Sequence, residues 1–123
     1  ALPWGDDLGA DRANLDGPDA FGATSPVGSF PKGASKEGVL DLVGNVAEWT
    51  ADYMGPYGDA QQVNPRGPDS GAARVVRGGA FSGPRAPSKG PALGALVVKH
   101  REGVRPDARS ASVGFRCASS LKK

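Results

Sequence analysis

The amino-acid sequence predicts an irregular, loop-rich fold with short extended segments and little regular helix. Three observations carry this expectation. Glycine supplies 19 and proline 11 of the 123 residues, about a quarter of the chain and close to the range of low-complexity sequences. Both Trp, all four Phe and several Val/Leu runs are nevertheless spread along the chain, as a packed fold requires. Turn formers punctuate the text every few residues. A chain of 123 residues is room for one domain.

Taken in order, residues 1–37 read as loop (PWGDD, LDGPDAFGATSP, FPKGASKEG). Val39 to Met54 is the first core segment: an extended piece, a turn at Gly44-Asn45, then a strand through Val46-Ala47-Glu48-Trp49-Thr50. Residues 55–73 return to loop. Ala73 to Phe81 alternates as a strand that meets the Gly78-Gly79 bend. Residues 82–92 form a Pro/Gly/Ser/Lys loop. Leu93 to His100 is a short helix or a buried strand, and eight residues do not fix the period. Val113 to Ala118 reads as a closing strand.

The charge is divided along the chain. Residues 1–60 carry 10 acidic and 3 basic side chains, whereas residues 61–123 carry 3 acidic and 12 basic. A basic half can mark a nucleic-acid partner. Here the bases stand singly, without the interleaved aromatics that stack bases, so attraction between the two halves of one fold is the expectation and no nucleic acid is. Cys117 is the only cysteine, which rules out an intramolecular disulfide and a zinc set within the chain; a buried, unreactive thiol is expected there. The apolar run at 93–98 is far too short to span a membrane. The chain opens ALPWGDD, without an initiator Met or leader, and reads as the inside of a longer protein.

Two acid clusters bear on cation chemistry. Asp41 and Glu48 flank the Gly44-Asn45 bend, and a bend turns carbonyls toward a common centre. Calcium takes six to eight hard oxygens of these kinds. The alternative is as physical: Asp41 caps a turn and Glu48 pairs with an arginine from the basic half. The upstream set (Asn14, Asp16, Asp19) has calcium-ligand types but lacks the register of an EF-hand loop. His100 is the only histidine, and no nucleophile elbow, phosphate loop or dinucleotide fingerprint is present.

Together the motifs DLVGNVAEWTADY, RVVRGGAF and the closing set Arg101, Pro106 and GFRCA (Gly114 to Ala118) closely resemble the formylglycine-generating enzyme, or sulfatase-modifying factor, family. The opening PWGDD, ANLDG and PDAFGATSPVGSFPKG fits as well, so the likeness runs from about residue 2 to residue 119. It implies an α+β fold related to the C-type lectins: irregular and loop-rich, with short antiparallel strands and little helix. Family members carry about as much sequence again upstream. The resemblance therefore implies that residues 1–123 are the C-terminal portion of one such domain, completed by an N-terminal fragment or a companion chain.

The resemblance also implies two structural calcium sites. One falls on the Asn14 and Asp19 side chains with the Leu15 and Phe21 carbonyls. The other falls on the Asp41 and Glu48 side chains with the Gly44 and Val46 carbonyls. The cysteine pair that binds copper in the formylglycine-forming members corresponds to about Leu93 and Val98, and a leucine and a valine supply no thiolate. No copper and no catalytic residue is expected in this chain. The implied reading is a non-catalytic, calcium-stabilised binding or assembly module located outside the cytoplasm. Its basic face, with Arg85, Lys99, His100 and Arg105, would meet a protein or anionic ligand. One alternative is a fragment of an iron or copper oxidoreductase whose site another part completes; a further one is a lectin-like variable ligand-binding protein.

Overall fold

The computed structural model describes residues 1–9, 11–15, 21–82, 94 and 96–119. The central element is β1 (Ala47–Tyr53), whose Trp, Thr and Tyr residues suit a half-buried pleated surface. Antiparallel to it runs β2 (Arg74–Arg77), with Glu48 opposite Arg77 and Trp49 opposite Val76. The register slips between Trp49 and Tyr53, so β1 carries an irregularity there. β3 (Glu102–Val104) adds antiparallel to the far side of β2. β4 (Val113–Gly114) pairs parallel with β1 through Ala47 and Glu48, giving the order β3-β2-β1-β4.

Short strands, much loop and little helix are thus what the chain has. Helical structure includes a 3₁₀ turn at Pro31–Gly33, where proline fits an N-terminal position that needs no donor. One pairing of the sheet is parallel, because the closing segment returns alongside β1 rather than through a hairpin. Only two residues of that segment pair, and Phe115 and Cys117 lie exposed beyond them. The expectation of a buried thiol at Cys117 is corrected accordingly. Bends run from Leu42 to Val46 where the extended piece was expected to reach Gly44, and the described part of 93–100 is 3₁₀ at Gly94 and turn or bend from Leu96 to Lys99.

The core is small. Leu2, Val43 and Leu96 pack together, with Trp4, Leu8, Ala13 and Leu15 against them, and Val75 and Val76 are buried within the sheet. Each such side chain contributes about 1.5–3 kcal/mol of burial. The bend at Gly44 (φ 75°) and Asn45 (φ 61°) joins this core to the sheet. A β-carbon at Gly44 would stand 2.2 Å from the Asn14 carbonyl oxygen, so glycine is required on steric as well as conformational grounds.

Candidate functional site

Two asparagines hold the loops around the Gly44 bend. Asn14 is 2% exposed. Its Nδ2 donates to the Ala23 carbonyl at 2.8 Å and lies 3.4 Å from Asn45 Oδ1. The Asn45 amide nitrogen returns a bond to the Asn14 carbonyl at 2.8 Å. Asn45 also exchanges two hydrogen bonds with the Ser25 backbone, at 3.0 and 3.2 Å. Loops 11–15, 21–25 and 41–46 are therefore tied at one point.

This arrangement bears on the expected calcium ligands. The Asn14 amide spends its nitrogen on the protein, and no donor reaches its Oδ1 among the described residues. An amide oxygen left to one side of a buried loop fits a hard cation. Asp19, its expected companion, lies outside the described residues.

At the second expected site the carboxylates already have partners. Asp41, at φ 56°, accepts the Gly28 amide on Oδ2 at 2.7 Å. Glu48 is gripped by Arg116: Nε lies 2.9 and 2.7 Å from its two oxygens, and Nη2 lies 2.6 Å from Oε1. Arg116 further donates to the Leu40 carbonyl at 2.8 Å and the Asp41 carbonyl at 2.9 Å. The Glu48 hydrogen bonds raise the Arg116 pKa above its ordinary value, against partial burial that lowers it. A guanidinium therefore sits among oxygens of the kind calcium takes. A carboxylate has about four lone-pair positions, and three are directed at Arg116. A calcium ion here would share Glu48 with that cation.

Of the basic residues singled out in the sequence, Lys99, His100 and Arg105 are described. Arg85 lies outside the described residues. Arg105 is committed to Asp107, at 3.1 and 2.9 Å. His100 Nε2 lies 3.2 Å from Glu102 Oε1. The Lys99 carbonyl accepts the Tyr57 hydroxyl at 2.7 Å. Val98, one of the two positions matched to the cysteine pair, is 57% exposed; Leu93 lies outside the described residues. A concavity the sequence reading missed lies between the 56–68 loop and the sheet, lined by Tyr57, Arg66, Arg77 and Arg101 among others. Its residues run from Asp52 to Arg101 in sequence, so only the tertiary fold assembles them. The local signal was Tyr57 in its Pro/Gly loop.

Attraction between the halves takes a particular form. Among the described residues one ion pair crosses from the basic to the acidic half, Arg116–Glu48. Other crossing guanidinium contacts include those of Arg74 to the Ala51 carbonyl and Arg101 to the Gly55 carbonyl. The sheet positions both arginines, with Arg74 also 3.6 Å over the Tyr53 ring.

Comparison with known proteins agrees with this architecture. The family model described as sulfatase-modifying factor enzyme 1-like domain matches residues 2–121. The formylglycine-generating enzyme of Bos taurus is 33% identical over 96% of the chain and 33% of its own length. The inactive C-alpha-formylglycine-generating enzyme 2 of Mus musculus is 35% identical over 96% of the chain and 36% of its own length. Among solved structures, Treponema denticola variable protein 1 superposes with a TM-score of 0.66 at 28% identity, over 85% of this chain and 34% of that one. The chain spans about a third of the length of the curated relatives it matches. It belongs to the sulfatase-modifying factor (formylglycine-generating enzyme-like) family.

Proposed function

We propose that this chain serves as the C-terminal portion of a non-catalytic formylglycine-generating-enzyme-like domain, a binding or assembly module outside the cytoplasm. The observation that carries the reading is the distribution of thiols. Cys117, the only cysteine, stands in the closing GFRCA segment, while the positions matched to the copper-binding pair hold Leu93 and Val98. Soft Cu(I) takes thiolate ligands, and aliphatic side chains offer none. The likeness to a relative named as inactive supports the same reading. Calcium enters it as a structural ion at the Asn14 loop, where the asparagine oxygen is available, and as an ion sharing Glu48 with Arg116 at the second bend. A cation that binds only the folded state stabilises a loop-rich fold with a small core. The extracytoplasmic location rests on that calcium reading.

The direct test is turnover. The protein at its natural length is loaded with copper(I) and incubated under air with a sulfatase-type cysteine peptide, and aldehyde is followed by mass spectrometry. No aldehyde above the protein-free control is expected. Catalytic conversion of the peptide would overturn the proposal.

A further inference from the structure

The concavity beside the 56–68 loop has a volume of about 590 Å³ and is walled by three guanidinium-bearing residues, Arg66, Arg77 and Arg101. None of the three has a carboxylate partner among the described residues. The Arg101 guanidinium sits over the Tyr57 ring, its Cζ 3.5 Å from the ring centroid. One amino group donates to the Gly55 carbonyl at 2.8 Å. Its Nε–H is buried and meets no acceptor. Arg77 directs Nη1 to the Val98 carbonyl at 2.7 Å and the His100 carbonyl at 3.1 Å. Its Nη2 donates to the Tyr57 hydroxyl, at 3.4 Å, and to no other acceptor among the described residues. That hydroxyl donates to the Lys99 carbonyl, so Tyr57 sits between the two guanidinium groups and orients both.

The electrostatics of this wall are unbalanced. Two half-buried guanidinium groups share one tyrosine, and Arg66 adds a third charge from the loop. The opposing carboxylate at the wall, Asp52, is turned to the Gly67 amide at 3.4 Å. Partly buried cations that line one wall repel one another, and a buried donor without an acceptor carries a desolvation cost. An oxyanion removes both penalties. Planar, forked guanidinium groups recognise carboxylate, phosphate and sulfate oxygens better than a point charge does. Prolines 56, 65 and 68 limit the freedom of the facing loop, which reduces the ordering cost of binding.

We infer that the Tyr57–Arg66–Arg77–Arg101 concavity is a binding site for an oxyanion group, a carboxylate or a phosphate or sulfate, on the module's ligand. The site names a ligand class for the proposed binding module and rests on that reading for its biological role. The pocket itself is independent of whether the domain catalyses a reaction, so its test and the turnover assay fail separately.

The test is isothermal titration calorimetry on the protein at its natural length, in chloride buffer at fixed ionic strength. The probes are inorganic phosphate, sulfate and succinate. Saturable one-to-one binding of at least one probe is expected. Preference for the tetrahedral ions or for succinate identifies the headgroup. Arg66→Gln, at an exposed loop position, should weaken binding about tenfold, the scale of a lost charge-assisted hydrogen bond, with the thermal midpoint unchanged. Arg101→Lys keeps the charge, loses the flat fork, and should weaken binding similarly. Absence of saturable heat with all three probes would overturn the inference. So would binding that neither substitution weakens.

Discussion

Arg116 connects parts of the chain that are far apart in sequence. Its guanidinium joins the Glu48 carboxylate on β1 to the Leu40 and Asp41 carbonyls in the bend before it. One planar group with five donors serves all three acceptors, which an ammonium does not do in the same geometry. Arg116→Ala should lower stability by about 1.5–3 kcal/mol, the range for hydrogen bonds to charged groups, read from urea unfolding. Arg116→Lys should recover less than half of that loss. The Arg116 pKa is raised in the folded state. Its contribution is therefore present at all pH values below the ordinary arginine range and is lost only as pH climbs through the raised value. On the arginine side, the effect of the substitution should not vary between pH 6 and pH 9. The possibility that Glu48 pairs with an arginine from the basic half was legible in the residue types. Which arginine was not, because 68 residues separate the partners and only the return of the closing segment along β1 brings them together.

At the level of elements, β1 and β2 were legible because aromatic and β-branched residues in the first, and paired valines in the second, lie between turn signals. β3 was not: Glu102-Gly103-Val104 has weak strand propensity, and its pairing with Arg74, Val75 and Val76 holds it extended. The closing strand is shorter than its residue types suggest, since residues 115–118 pair with no strand among the described residues. The bend at Gly44-Asn45 was legible as a turn pair, and its tight contact with Asn14 makes it sensitive to substitution. Gly44→Ala places a β-carbon 2.2 Å from a backbone oxygen at φ +75°. Gly22→Ala, at φ +57° with open space around it, is the control. The control should cost about 1–2 kcal/mol, the strain of a left-handed alanine. Gly44→Ala should cost at least about 2 kcal/mol more, because the 14–44 contact must open. Equal losses in chemical denaturation would show that the two loops are not rigidly joined there.

For the molecule as a whole, the family was legible from four short motifs in order, and the comparisons bear this out across residues 2–121. The arginine concavity left no such trace, since residues from three separate segments form it. The central claim is that the fold serves as a non-catalytic, calcium-stabilised module, and metal content tests it most directly because it addresses the copper and iron alternatives together. The protein at its natural length, purified without chelator, should contain calcium by elemental mass spectrometry, with copper and iron far below one equivalent. Removal of the calcium should lower the thermal midpoint. A full equivalent of tightly held copper or iron would contradict the account, and a calcium-free protein whose stability chelation does not change would remove its calcium half.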